Sequence, residues 1–255
     1  MLTSQHIMCL FEHTAHPTSK IIAATAYPDA IRMYTKLRQY SHFEKSDDGT
    51  DTAYMKFPYS MKATKDEVER LIQTSGHRLA GKPAAIGGTT DIELFYAKNR
   101  QLERTMAKGV AYHLCQDVTF DKFLRKNVNC QKKLEDEFAF NGHLMNGKQF
   151  RQWITAVEQQ GIYLLAHRLY DKYGITTDQK WFDENVRPAL FKHYPKELAA
   201  NTYRYMKLNP TYDKLISKAD WSKINDGTIP RKQYEKLYDD IQLAMNQTDN
   251  HALSL

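Results

Sequence analysis

The sequence predicts an α+β protein: a small mixed α/β N-terminal region over residues 1–120, followed by an α-helical, basic and Tyr-rich region over 121–255. Three observations carry this. Short apolar or alternating runs of strand length recur before residue 120, helical spacing of apolar residues dominates after it, and the charge excess is confined to the last third.

In order, "HIMCLFE" (6–12) reads as a strand, because its apolar residues form one short unbroken run. Lys20 opens a helical pattern that Pro28 interrupts and Asp29 restarts as an N-cap, with Ile31, Tyr34 and Leu37 at helical spacing. "SDDGTD" (46–51) is a polar turn and "TAYMKFPY" (52–59) an alternating strand. In "TKDEVERLIQTSG" (64–76), Thr64 and Glu67 form a capping box ahead of Val68, Leu71 and Ile72. "GGTTDIELFY" (87–96) reads as a strand after a glycine turn, a helix is expected over 98–108, and "VAYHLCQDVTF" (110–120) reads as another strand.

From Asp121 the expected elements are helical. Phe123, Leu124, Leu134 and Phe138 mark one helix. Phe150, Trp153, Ile154, Val157, Leu164, Leu165 and Leu169 mark the most periodic one, with Gly174 as its C-cap. Trp181, Phe182 and Val186 mark a further helix that Pro188 breaks or kinks, and Pro230 opens a last helix carrying Tyr234, Leu237, Ile241 and Met245.

Composition sets the class. Of 255 residues 42% are hydrophobic and 12% aromatic, with 16 Tyr, which is enough ring area for a folded core and argues against disorder. No apolar run reaches the roughly 18–20 residues that cross a bilayer, so no membrane partner is expected. The first residues lack a basic stretch ahead of a long apolar one, and Cys9, Cys115 and Cys130 are widely spaced; both point to a cytoplasmic protein with free thiols.

The net charge of +6 resides in Arg187–Tyr238, where eleven Lys or Arg face five Asp or Glu, among eight aromatic residues. Cations neutralise phosphates and exposed rings stack on bases, so this composition suits nucleic acid. The candidate contact residues are Arg187, Lys192, His193, Lys196, Tyr203, Arg204, Tyr205, Lys207, Lys214, Arg231 and Lys232.

Other motifs compete with that reading. Asp91 and Glu93, two apart on a strand, share one face and can hold a divalent cation. "TTDIEL" resembles the second-strand carboxylate pair of the polymerase-beta-like nucleotidyltransferases, although the Gly-Ser turn of that family is missing upstream. The resemblance implies magnesium-dependent phosphoryl or nucleotidyl transfer, with Asp117 as third carboxylate. "NDGTI…QY" (225–234) resembles the latter part of an EF-hand calcium loop, but Ile224 and Gln233 stand where ligands are needed. "FNGHLMNGKQF" (140–150) is a similar glycine turn without any acid. His13 and His16, three apart beside Glu12 and downstream of His6, would share a metal on a helix, but Pro17 biases His16 away from one.

The expectation is therefore a non-enzymatic protein that contacts nucleic acid, or an acidic protein partner, through its C-terminal helices, without cofactor or metal. The alternative is a magnesium-dependent transferase using Asp91, Glu93 and Asp117. A third is an effector or inhibitor acting through protein contacts, for which the sequence carries no signature.

Overall fold

In the computed structural model, the described residues are 1–35, 42, 90–100, 102–125, 137–140, 143–207 and 229–254. Among them 82% are helical, which overturns the α+β expectation: the protein is all-α. Helices α1 (Thr3–His13), α2 (Ser19–Thr35), α3 (Ile92–Lys98) and α4 (Arg104–Arg125) come from the N-terminal half. A hairpin of two four-residue strands, β1 (Glu137–Phe140) and β2 (His143–Asn146), precedes α5 (Gly147–Tyr173). Beyond it come α6 (Gln179–Asn185), α7 (Arg187–His193), α8 (Lys196–Lys207) and α9 (Arg231–Ser254).

All three N-terminal segments read as strands, where described, are helical, and each for an identifiable reason. Helix α1 packs against α2, α4, α5 and α9. Every residue from Thr3 to Glu12 is therefore buried, and a short apolar run inside an enclosed helix reads the same as one inside a buried strand. Residues 110–120 belong to the 22-residue α4, which packs against both α2 and α9 and so carries apolar residues around most of its circumference. In "GGTTDIELFY" the helix starts at Ile92, because the Asp91 carboxylate accepts the Leu94 N–H at 3.0 Å as an N-cap. The helix expected over 98–108 begins at Arg104 instead.

Pro28 lies inside α2 rather than ending it. A proline takes away one backbone donor. Beside that break the Ala23 carbonyl accepts the Tyr194 hydroxyl, and the Thr25 carbonyl accepts a ring N–H of His113. The interruption is thus stitched to α4 and to the residue after α7.

Helix α5 and its C-terminus agree with the sequence expectation: Gly174 has φ 68°, and its N–H donates to Tyr170 O at 2.7 Å. Phe138, assigned to a helix from the sequence, lies in β1. Pro188 separates α6 from α7 as the first-turn proline of the latter. The strand over 52–59, the helix over 64–76 and most of the EF-hand-like stretch lie outside the described residues.

The division at residue 120 falls within α4, and one apolar cluster runs from Met1 to Met245. Two close contacts set its geometry. A Cβ on Gly109 would stand 2.4 Å from Ala24 Cβ, where methyl carbons need about 3.5–4.0 Å, so α2 and α4 cross at a separation only glycine permits. The Glu12 carboxylate, nearly fully buried, accepts Arg168 Nε at 2.6 Å, while Arg168 Nη2 donates to Asp239 at 2.8 Å. That pair ties α1 to α5 and α9.

Candidate metal centre

Where α1, α2 and α4 meet, five side chains turn inward: His6, Asp29, His42, His113 and Asp117. His42 is the one described residue between 35 and 90, and it is fully buried. His113 and Asp117 lie four residues apart on α4 and so project from the same face. None of the five exposes more than 3% of its surface. Among the described residues, two groups bring ligand atoms within 4.8 Å of one another: His6, His113 and Asp117, and Asp29, His42 and His113.

Two of the imidazoles are held from behind. His113 Nδ1 lies 2.8 Å from the Thr25 carbonyl, which only accepts, so Nδ1 carries a proton and Nε2 is the ring nitrogen turned inward. His6 Nδ1 lies 2.7 Å from Gln116 Oε1, which assigns its proton the same way. His6 Nε2 is then 3.3 Å from Asp117 Oδ1, buried and without a hydrogen-bond partner. The Met1 ammonium, 2.8 Å from the same Asp117 oxygen, offsets part of the carboxylate's charge, and a further cation between His6 and Asp117 would satisfy the imidazole as well. The His6 and His113 rings stack at 3.7 Å, both edges aimed into the same space.

The remaining distances have one scale. His113 Nε2 is 3.0 Å from His42 Nε2. His42 Nε2 is 3.4 Å from Asp29 Oδ1 and 3.6 Å from Asp117 Oδ2, and His113 Nε2 is also 3.6 Å from Asp117 Oδ2. Ligands at 2.0–2.2 Å around a tetrahedral ion stand about 3.3–3.6 Å apart. The donor atoms already have close to that spacing.

Asp29 is steadied by the Thr3 hydroxyl, which donates to Oδ2 at 2.7 Å, and Asp117 Oδ1 accepts the Met1 ammonium at 2.8 Å. Burial, reinforced by the charge of His113, lowers the His6 pKa to about 4, so its imidazole is neutral at physiological pH. Burial would raise the Asp29 carboxyl, but the imidazoles of His113, His42 and His6 outweigh this and hold it well below its usual range. Three imidazoles and two carboxylates form a nitrogen-rich set. It suits zinc, iron, manganese or nickel, whereas calcium and magnesium prefer oxygen.

The sequence-derived candidates separate. Asp117 belongs to the cluster; Asp91 and Glu93 do not, the former being the α3 cap and the latter exposed. Arg187, Lys192, Lys196, Arg204, Arg231 and Lys232 are all on the surface, with Arg187 5.4 Å above the Phe191 ring and Arg231 paired to Glu235 at 2.7 Å. His193 is half-buried and hydrogen-bonds the Ser19 hydroxyl at 3.0 Å. Tyr205 is 47% exposed, whereas Tyr203 is buried with its hydroxyl on Asp183 and Gln179. The Lys207 side chain and all of Lys214 lie outside the described residues.

His13 joins a different network, with Asp249 Oδ2 at 3.0 Å and Gln242 Oε1 at 3.1 Å. A separate pocket of about 160 Å³ is lined by Tyr163, Ala166, His167, Tyr170, Ile175, Thr176 and Thr177, none of them in the cluster. No family model matches the chain, and neither the curated proteins nor the solved structures contain a match.

Sequence spacing alone singles out neither His42 nor His113, and it reads Asp29 as a cap. One signal is present all the same: His113-x-x-x-Asp117 is the ligand spacing of one helix face.

Proposed function

We propose that the protein is a metal-dependent hydrolase built on a centre of two first-row transition-metal ions, with Asp117 bridging them. The observation that carries this is the division of the Asp117 carboxylate. Its Oδ1 faces His6 at 3.3 Å, while its Oδ2 faces both His42 and His113 at 3.6 Å. Two ions held by these groups would share that carboxylate, the arrangement that two-metal hydrolytic sites use.

The two positions differ in how many donors the chain supplies. On one side Asp29, His42 and His113 would supply three donors that lie within 4.8 Å of one another. On the other, His6 Nε2 and Asp117 Oδ1 would supply two, beside the Met1 ammonium that stands 2.8 Å from the same Asp117 oxygen. A site of three protein ligands keeps a fourth position, as catalytic ones do. Bound ions supply a water of lowered pKa and a clamp for the charge that develops on the attacking and leaving oxygens. The substrate class that best uses such a clamp is a phosphate ester, and the net charge of +6 favours an anionic substrate. Asp29 and Asp117 keep the ions in place, and the backing partners Thr25, Gln116 and Thr3 keep the donors aimed.

The test is direct. Full-length protein dialysed against zinc or manganese and then against buffer should retain about two ions per chain. It should hydrolyse bis(4-nitrophenyl) phosphate, and a chelator should abolish this reversibly. Retention of no ion above a helical control protein would end the proposal.

A second reading rests on a different observation. Phe191 and Tyr205 are exposed large rings on helices that also expose Arg187, Lys192 and Arg204. Such a face suits an anionic polymer, nucleic acid or an acidic protein. Oligonucleotide binding should then weaken steeply with salt, and Arg204→Glu with Tyr205→Ala should weaken it about tenfold or more at low salt. Affinity that ignores both salt and the double substitution would dismiss this face.

A further inference from the structure

Ser19 and His193 are 174 positions apart in the chain and meet where α2 and α7 touch, with Ser19 Oγ 3.0 Å from His193 Nε2. Neither belongs to the metal cluster. Both are half-buried, so they keep a face that a small molecule can reach. The meeting point is pinned from behind: α7 packs against α2, and the adjoining Tyr194 is buried with its hydroxyl on the Ala23 carbonyl.

A hydroxyl is a weak nucleophile until a neighbouring base takes its proton. An imidazole can do so only while it is neutral. Burial, together with the charges of Lys192 and Lys20, lowers the His193 pKa from its usual value. The neutral ring with its own proton on Nδ1 offers the Nε2 lone pair to the Ser19 hydroxyl. Ser19 is also the first residue of α2, a helix of 17 residues whose N-terminal end favours negative charge. Thr18 caps that end, its hydroxyl accepting the Ile21 N–H at 3.4 Å. An oxygen that gains charge beside Ser19 therefore meets a positive field.

We propose that Ser19 and His193 are a nucleophile and base that hydrolyse carboxylic esters, an activity separate from the metal centre. Ser19 Oγ attacks the ester carbonyl carbon while His193 Nε2 takes the hydroxyl proton. The ester C–O bond then breaks, and the proton passes from His193 to the departing oxygen, which leaves as the alcohol. Water attacks the acyl-serine in the same manner, releasing the carboxylic acid and restoring both side chains.

The experiment treats the full chain with a fluorophosphonate, whose phosphorus an activated serine attacks with loss of fluoride. Wild type should carry one adduct per chain, located at Ser19 by peptide mass spectrometry, and Ser19→Ala should carry none. His193→Gln can still accept the hydroxyl but cannot hold its proton, so labelling should slow about 10²–10⁴-fold, the usual worth of a general base. His167→Gln, at a half-buried histidine of α5, should leave the labelling rate unchanged. The Ser19 adduct should also abolish hydrolysis of 4-nitrophenyl acetate without altering turnover of bis(4-nitrophenyl) phosphate or metal content, which keeps this test apart from that of the centre. No adduct, an adduct only at another residue, or equal labelling of Ser19 in wild type and His193→Gln would overturn the pair. The site of the wild-type adduct decides even if a variant does not fold.

Discussion

Asp117→Asn should reduce metal content from two ions per chain to one or none and lower phosphodiester hydrolysis on the order of 10³-fold, the equivalent of about 4 kcal/mol of transition-state stabilisation. A carboxamide copies the shape of the carboxylate, so packing around this fully buried side chain is preserved. What it removes is one of two oxygens and the negative charge. With a single oxygen left, the side chain can face His6 or the His42–His113 pair, but not both. The substitution also strips the Met1 ammonium of its 2.8 Å partner, so a modest loss of stability is expected beside the loss of metal. Metal analysis and turnover should be read at a temperature where circular dichroism shows the variant fully folded. A folded variant with two ions and undiminished hydrolysis would remove Asp117 from the centre.

Arg168→Leu should destabilise the fold by about 3–5 kcal/mol at neutral pH, the cost of leaving a buried carboxylate without its cation. The carboxylate is Glu12, 3% exposed at its side chain and 2.6 Å from Arg168 Nε. Gln242 Nε2 also reaches it, at 3.3 Å, but a neutral amide does not replace the charge. Burial raises the Glu12 pKa above its usual value, and Arg168 is the main influence restraining it. Removing the arginine lets it rise further, which fixes the sign of the pH dependence. A carboxyl with a raised folded-state pKa costs nothing while it is protonated in both states. Its penalty grows as pH climbs above the unfolded value of 4.5 and is complete above the folded one. The variant should therefore lose most stability at pH 7–8 and recover toward pH 4.5, as urea midpoints at several pH values would show. A loss that stays the same across that range would mean that packing, not charge, is what Arg168 contributes.

How much of the fold is legible in the sequence depends on solvent. Where helices keep a wet face, as α5 and α9 do, spacing and caps identify them, and Gly174 and Pro230 mark real boundaries. Where helices are largely enclosed, as α1 and α4 are, the rule fails, because a short apolar run looks alike in a buried helix and a buried strand. The candidate centre sits among those enclosed helices. Spacing assigns His6 to a strand and Asp29 to a cap, and it groups Asp117 with Asp91 and Glu93, which the fold places elsewhere. Nothing local announces that His6 and Gln116, 110 positions apart, share a hydrogen bond. Composition locates charge but not exposure. The surface cations of α7–α9 are where composition suggests, but four of the six described rings among them, Tyr194, Tyr203, Tyr234 and Tyr238, are inside.

The crossing at Gly109 reaches beyond packing. His113 stands one turn after Gly109 on α4, and Asp29 lies beyond Ala24 on α2, so the contact that brings those two backbones together also fixes the gap across which the donors look at each other. A single added methyl would pry the helices apart and lengthen every span between them. The aperture offered to an ion is therefore gauged by a missing carbon atom, and selection by ionic radius would be written into the bundle at a position that never touches the ion.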